Sequence, residues 1–172
     1  MIIFGTAAGL APEVDRCNAP RMYKNIVVGT DGSETAGLAV HHAIMLAKMS
    51  GAKLHIVHAY QVVTLGMAAM SASSGGPMID AERLNSSLSE SGAAVCSQAT
   101  ATAERGGVEV EAHSMCSDPA DALINVAQQV DADLLVVGNR GMAGVKRFML
   151  GSVPNRISHH SPCSLLIVNT TA

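Results

Sequence analysis

Short apolar runs recur along the chain, and longer stretches of mixed polarity separate them. An apolar or alternating run of about four to eight residues between turn residues is typical of a β-strand. By this criterion the chain contains five predicted strands, at residues 26–29, 53–59, 108–115, 133–137 and 164–168.

The stretches between these strands carry apolar residues at helical spacing. They predict helices over residues 34–50, 79–105, 119–129 and 153–159. Strands that alternate with helices predict an α/β fold, a doubly wound five-stranded parallel sheet with helices on both faces and right-handed crossovers. In the first helix the stripe facing the core is predicted to be Ala36, Ala39, Val40, Ala43, Ile44 and Ala47.

Start and stop residues support the helix boundaries. Ser33, Asp118 and Ser152 stand at predicted N-cap positions, where a side-chain oxygen accepts a hydrogen bond from the first helical turn. Pro119 fits the first turn of its helix, which needs no N–H donor there. Gly51 is predicted to end the first helix.

Two segments fit no periodic pattern. Residues 1–21 contain scattered glycine and proline, and we expect a disordered, dispensable tail with Met22 as the biological start, or else a short regulatory extension. Residues 61–77 are rich in serine, glycine and methionine and predict a mobile loop. The remaining length, residues 22–172, suits a single domain.

Composition excludes several classes of partner. The net charge of −3 and the lack of a basic stripe argue against nucleic acid, and two tyrosines and two phenylalanines offer little for base stacking. No apolar stretch is long enough to cross a bilayer, so no membrane partner is expected. The four cysteines are widely scattered, which predicts a reduced, cytoplasmic setting.

No metal site is expected from the histidines. The adjacent pairs His41-His42 and His159-His160 point to different faces of their helices, so neither pair chelates one ion. His55 and His58 lie three apart on one predicted strand and therefore face opposite sides of the sheet. His58 is expected to border the ligand site described next.

The candidate chemistry lies after the fourth strand. Gly138 and Gly141 follow it, and after nine intervening residues come Gly151 and Ser152 at a helix start. Glycine lets the backbone approach an anion, and a helix start offers unpaired N–H groups and the positive end of its dipole. The pattern predicts a phosphate site, for which Arg140, Lys146 and Arg147 provide positive charge nearby.

A second loop belongs to the same edge of the predicted sheet. Gly29, Thr30 and Asp31 follow the first strand, and Ala59 ends the second. Ligands of doubly wound sheets bind beyond the carboxyl ends of the strands, where strand order reverses. Asp31 is suited to accept hydrogen bonds from ribose hydroxyls, or to cap its own turn by an Asx bond. Ser152 is suited to bind phosphate, to cap its helix, or to do both.

Longer matches make the chain resemble the universal stress protein family over residues 23–170. The opening strand and turn (residues 25–34), the Ser117-Asp118-Pro119 helix start and the fourth strand all match family patterns. The spacing of Gly138, Gly141, Gly151 and Ser152 resembles that of the nucleotide-binding branch. Ser117 stands where the family often has glycine.

The resemblance implies a Rossmann-like fold of the adenine nucleotide alpha hydrolase type and a cytoplasmic stress-response regulator. It implies ATP as ligand, with or without Mg²⁺, or alternatively cyclic AMP, and a homodimer joined through residues 164–168. It places Asp31 at the nucleoside and Ala59 at the adenine. The full set of predicted nucleotide contacts is Gly29, Thr30, Asp31, Ala59, Gly138, Asn139, Arg140, Gly141, Gly144, Gly151, Ser152 and Val153.

Catalysis is not expected. The chain has no Walker lysine after its glycines and no motif that positions a base for a water molecule. A slow ATPase or self-phosphorylating protein is the alternative in the enzyme class. An interaction scaffold that binds no nucleotide is a third, which the glycine pattern disfavours.

Overall fold

Residues 22–62, 64, 80–139 and 150–170 are described in the computed structural model. The predictions for the tail at residues 1–21 and for most of the loop at 61–77 lie outside the described residues. In chain order the elements are β1 Asn25–Gly29, α1 Glu34–Ser50, β2 Lys53–Tyr60, α2 Ala81–Arg105, β3 Val110–Cys116, α3 Pro119–Gln129, β4 Leu134–Gly138, α4 Ser152–His160 and β5 Ser164–Val168.

The strands form one parallel sheet in the order β3-β2-β1-β4-β5. One core cluster joins α1 and α2 to the sheet, and a second joins α3 and α4 to the opposite face. The predicted doubly wound α/β fold is thereby confirmed. Within the described part of the chain, no helix has both the length and the apolar character that spanning a bilayer requires.

The first helix follows its sequence pattern closely. The six residues predicted to face the core are the ones that are buried. Ser33 Oγ accepts a hydrogen bond from the Ala36 N–H at 3.1 Å, and Gly51 ends the helix in the left-handed conformation, at φ 66°. These local predictions hold because each depends on residues within one or two turns of one another.

The ends of the elements lie within two residues of their predicted positions, and two of the differences have a structural cause. The third strand begins at Val110 rather than at Val108, because the Val108 N–H donates to Ala103 O at the end of α2, outside the sheet. Ser152 was predicted to cap the last helix, and this is wrong. Gly151 is the N-cap, since its carbonyl accepts the first helical hydrogen bond, from Asn155.

Two glycines near the first turn make a matched test of backbone conformation. Gly32 has φ 80°, and a Cβ there would lie 2.8 Å from Val95 Cγ2, whereas a Cβ on Gly37 in α1 would meet nothing within 4 Å. We expect Gly32→Ala to lower the free energy of unfolding by about 1–2 kcal/mol and Gly37→Ala to raise it by about 0.5–1 kcal/mol. Urea denaturation measures both; a Gly32→Ala protein as stable as the native one contradicts the left-handed turn.

Asp133 anchors the start of the sheet. Its Oδ2 accepts the backbone N–H groups of Lys24 at 2.6 Å and Asn25 at 3.0 Å, just before β1. The hydrogen bond from Asn25, followed by that from Lys24, lowers the pKa of Asp133 against a partial opposing effect of burial. The ionised carboxylate therefore stabilises the folded chain.

The stabilisation by Asp133 is expected to depend on pH. Because the folded-state pKa lies below the ordinary value of 3.8, the contribution is complete above that value and is lost as the pH falls through the folded pKa. Asp133→Asn keeps an acceptor but no charge, so we expect it to lower stability by about 1 kcal/mol near neutral pH and by less in acid. Urea denaturation at several pH values checks this.

The matched control is Asp131→Asn in the same turn. Asp131 is exposed and has φ 48°, a conformation that asparagine tolerates. It makes no comparable contact with β1 among the described hydrogen bonds. If both variants lose the same stability at every pH, the anchoring role of Asp133 is refuted.

Candidate functional site

Strand order reverses between β1 and β4. From β1 the chain proceeds outward through β2 to β3, and it then returns to β4 on the other side of β1 and continues to β5. The helices that follow β1 and β4 therefore lie on opposite faces of the sheet. This arrangement leaves a crevice beyond the carboxyl ends of the two strands, where ligands of such sheets bind.

The register brings the predicted loops to the same level. Val28 pairs with Val136, so that two residues further on Thr30 and Gly138 leave neighbouring strands side by side. On the other side, Gly29 pairs with Val57, and Ala59 follows two residues later near the end of β2. The structure therefore brings the predicted contacts from β1, β2 and β4 to one edge of the sheet.

Thr30 is fixed by β2. Its N–H donates to Val57 O at 2.9 Å, and its carbonyl lies 3.0 Å from His58 Nδ1. His58 in turn packs against α2, where a Cβ on Gly92 would lie 2.9 Å from its Cδ2. The Cys96 thiol lies beside the His58 backbone, and burial raises its pKa, so it stays protonated. His58 borders the edge, as expected.

Asp31 closes its own turn. Its Oδ1 accepts the Ser33 N–H at 3.0 Å and the Ser33 hydroxyl at 2.6 Å. The Asx interpretation of this residue is therefore confirmed, and the contact with ribose stays a prediction. The carboxylate is half-buried at the mouth of the crevice.

Asn139 ties three elements together. Its Oδ1 accepts the Thr170 N–H at 2.9 Å and the Thr170 hydroxyl at 2.7 Å, and its Nδ2 donates to Asn169 Oδ1 at 3.1 Å. Its backbone N–H donates to Val168 O, while its carbonyl accepts the Gly151 N–H at 3.0 Å. Asn139 therefore fixes the start of α4 against the ends of β4 and β5.

Thr170 and Asn169 were not predicted from the sequence to belong to this edge of the sheet. They follow the last strand and carry no pattern of their own in the sequence. Thr170 is nevertheless buried, at 5% exposure, by its bonds to Asn139. The usable indication was positional, since residues just beyond the carboxyl end of a parallel strand lie at the ligand edge of the sheet.

The N-terminus of α4 differs from those of the other described helices. Ser33, Asp80 and Asp118 cap α1, α2 and α3, but α4 begins at Gly151 without a side-chain cap. Pro154 has no N–H, so the N–H groups of Ser152 and Val153 are the donors that this helix end offers. Ser152 is exposed and Val153 half-buried, and the dipole adds positive potential there.

Gly151 is needed for the close contact that positions this helix end. It is buried, and a Cβ at this position would lie 3.2 Å from the Asn139 carbonyl oxygen and 3.5 Å from Pro154 Cδ. A side chain at this position therefore requires the Asn139 carbonyl or the helix start to shift by a few tenths of an ångström. The predicted contacts Arg140, Gly141 and Gly144, together with Lys146 and Arg147, lie outside the described residues.

An ion-pair network fixes α4 on α3. Arg156 Nη1 lies 3.1 Å from Asp118 Oδ1, and Nη2 lies 2.8 Å from Asp121 Oδ1. All three side chains are substantially exposed, so the pairs add little stability. They orient α4 with its N-terminus at the edge of the sheet.

The chain is similar to known proteins in both sequence and fold. The model of the universal stress protein family matches residues 22–169. Universal stress protein Rv1636 of Mycobacterium tuberculosis is 34% identical over 150 residues, which cover 87% of this chain and 98% of that protein. A crystal structure of a universal stress protein in complex with cAMP is 33% identical with a TM-score of 0.62, over 87% of this chain and 98% of that one.

The fold is shared more widely than the sequence. Universal stress protein UspA from Lactobacillus plantarum superposes with a TM-score of 0.72 at 19% identity, over 86% of this chain and 98% of that one. At that identity the likeness concerns the fold alone.

Proposed function

This chain belongs to the universal stress protein family, and from that premise we propose that it is a regulatory protein that binds an adenine nucleotide in the cytoplasm. The observation that carries the proposal is the uncapped N-terminus of α4, which Asn139 fixes at the reversal of strand order. A phosphate group there would receive the N–H groups of Ser152 and Val153 and the favourable end of the helix dipole.

The other proposed contacts with the nucleotide follow from the register of β1, β2 and β4, whose carboxyl ends lie side by side. Gly138 brings backbone close to the ligand without side-chain bulk. Glycine at position 29 is required by packing, since a Cβ there would lie 2.9 Å from Leu123 Cδ1. Asp31 and Thr30 lie where the ribose would follow the phosphates, and the backbone at Ala59 lies further along the same edge, where the base would be bound. The similar structure in complex with cAMP supports an adenine nucleotide as the class of ligand.

We propose ATP as the principal ligand and cyclic AMP as the alternative. A triphosphate, with or without Mg²⁺, requires the whole glycine pattern from Gly138 to Ser152, whereas a cyclic monophosphate requires one anion site and a close-fitting ribose pocket. The spacing of Gly138, Gly141, Gly151 and Ser152 favours the longer phosphate chain. The stress-response role follows from family membership and is part of the proposal.

Calorimetric titration of nucleotide-free protein tests the proposal. ATP with Mg²⁺, cyclic AMP and adenosine are titrated separately, and adenosine serves as the ligand without phosphate. We expect ATP to bind at least about tenfold more tightly than adenosine, since its phosphates receive charge-assisted hydrogen bonds. Preference for cyclic AMP selects the alternative, and no binding of any of the three refutes the function.

We propose a binding protein rather than an enzyme. Among the described residues, the donors at the phosphate position are backbone N–H groups, which bind phosphate but transfer no proton to it. ATP turnover should therefore equal that of a control without protein, and Ser152→Ala should leave it unchanged. Turnover that Ser152→Ala abolishes would establish the enzymatic alternative.

We further propose that the protein is a homodimer joined through β5. This strand lies at one end of the described sheet, and its three central residues, Leu165, Leu166 and Ile167, are only partly buried. An apolar edge strand of this kind tends to pair with a second copy unless it is covered.

A further inference from the structure

A cluster of three potential metal ligands lies at the opposite edge of the sheet from β5. His55 on β2 pairs in register with Glu111 on β3, and Val57 pairs with His113. Positions two apart on a strand share a face, so His55, Glu111 and His113 all lie on the face that α3 and α4 cover elsewhere. The group was not predicted from the sequence, because His55 lies more than fifty residues before Glu111 and His113.

The atoms of the cluster converge. His55 Nδ1 lies 3.2 Å from His113 Nε2, and the imidazole rings stack with centroids 5.5 Å apart. Glu111 Oε2 lies 3.9 Å from His55 Nδ1, and Glu111 Oε1 lies 4.0 Å from His113 Nε2. One ligand atom from each residue lies within 4.8 Å of the others.

These separations suit a first-row metal. A tetrahedral zinc ion with nitrogen ligands at about 2.0–2.1 Å holds those nitrogens about 3.3 Å apart, close to the observed 3.2 Å. The 3.9 and 4.0 Å distances end at different oxygens of Glu111, and one donor oxygen lies within 4.8 Å of both nitrogens. That oxygen must therefore move by about 1–1.5 Å, which rotation of the 51% exposed Glu111 side chain allows. The geometry therefore needs only a small side-chain movement to bind an ion.

We propose that His55, Glu111 and His113 form a binding site for a divalent transition-metal ion, with zinc the best fit, whose remaining coordination positions are open to water. Two imidazoles and one carboxylate are a ligand set that zinc uses with an open position. His113 and Glu111 are partly exposed, which gives the ion an entry path.

The surroundings favour the forms that bind metal. His55 is only 3% exposed, and its Nε2 has no hydrogen-bond partner among the described residues. Burial of the ring favours the neutral imidazole, which is the form that binds a metal.

Lys53 competes with a metal ion for the Glu111 carboxylate and also holds that carboxylate in position. Its Nζ lies 2.8 Å from Glu111 Oε2 and 3.8 Å from Glu109 Oε1. The ion pair with Lys53 holds Oε2 of Glu111 in place, while Oε1 lies 4.0 Å from His113 Nε2. The ammonium charge opposes a cation, so moderate rather than very tight affinity follows.

The site is separate from the proposed nucleotide site. His55 precedes Ala59 by four residues on the same strand, a distance of about 13 Å. The cluster therefore lies toward the amino end of the strands, while the nucleotide edge lies at their carboxyl ends. Its test does not depend on whether a nucleotide binds.

The experiment uses protein without an affinity tag, freed of metal with EDTA. Zn²⁺ is titrated in competition with a chromogenic chelator, and Co²⁺ is followed by its visible absorption. We expect one ion per chain, with Glu111→Gln and His113→Ala each weakening binding at least about tenfold. Zn²⁺ should raise the melting temperature of the native protein and not that of the Glu111→Gln/His113→Ala double variant.

Controls keep the test decisive. Glu111 and His113 lie on a partly exposed edge strand, so their replacement leaves the core intact, and circular dichroism verifies this. Replacement of the exposed pair His159 and His160 by alanine removes two histidines elsewhere and should leave the affinity unchanged. Absence of saturable binding to the native protein, or unchanged affinity in the Glu111→Gln/His113→Ala double variant, overturns the proposal.

Discussion

Replacing Gly151 with aspartate is expected to weaken nucleotide binding by at least about 100-fold, because one charge-assisted hydrogen bond is lost and a negative charge is added beside the phosphates. Gly151 is the N-cap of α4, and its φ of −59° and ψ of 161° allow an aspartate to cap the helix. The new carboxylate would accept the Val153 N–H, one of the two donors that a phosphate is proposed to receive.

The same substitution separates binding from folding. A side-chain cap is a stabilising change at a helix that lacks one, while the Cβ must fit 3.2 Å from the Asn139 carbonyl. These effects oppose each other, so we expect the free energy of unfolding to change by less than about 1 kcal/mol. A protein that folds normally and has lost its ligand would place the phosphates at this helix end.

Gly151→Ser is the matched control for charge. Serine has a similar Cβ and also caps the helix, but it is neutral and its hydroxyl can still donate to phosphate. Calorimetry should give an affinity between those of the native protein and Gly151→Asp. If Gly151→Asp binds ATP and cyclic AMP as tightly as the native protein, the proposed phosphate position is wrong.

Ile167→Pro is expected to raise the dissociation constant of the proposed dimer by about 100-fold. The Val168 carbonyl accepts the Asn139 N–H, so the backbone of Val168 faces β4. Backbone direction alternates along a strand, and the Ile167 N–H therefore faces the outer edge. Proline removes this donor once in each subunit.

Proline at this position should leave the subunit folded. A strand tolerates proline where the N–H faces away from the sheet, and the preceding Leu166 already has the extended conformation that proline requires. Loss of the partly buried Ile167 side chain is the main cost to stability. Ile167→Ala has this loss too but keeps the N–H, which makes it the matched control.

Sedimentation equilibrium distinguishes the outcomes. Native protein and Ile167→Ala should be dimers at micromolar concentration, and Ile167→Pro should be a monomer with native circular dichroism. A native protein that is monomeric rules out the dimer. A dimeric Ile167→Pro protein shows that another surface joins the subunits.

The three proposed functional surfaces occupy different parts of the sheet. The nucleotide edge lies at the carboxyl ends of β1 and β4, the dimer edge at β5, and the metal cluster on β2 and β3. Substitutions at well-separated sites usually act additively. Each proposal can therefore fail without the others.

Local patterns in the sequence determined the elements and most of their ends. The buried stripe of α1, the Ser33 and Asp118 caps and the terminal Gly51 all follow from residues within a few positions of one another. The glycine spacing also indicated the ligand edge, because the carboxyl ends of parallel strands meet by geometry. Such information is short-range and survives without knowledge of the fold.

The tertiary structure alone decided which distant residues meet. Val28 beside Val136, Asn139 on Thr170 and His55 beside His113 depend on strand order and register, which no periodicity within one element encodes. The N-cap of α4 is Gly151 rather than the predicted Ser152, because contact with the end of β4 determines where that helix begins. Pairing between strands is a long-range choice, so the chemistry built across strands emerges only when the chain has folded.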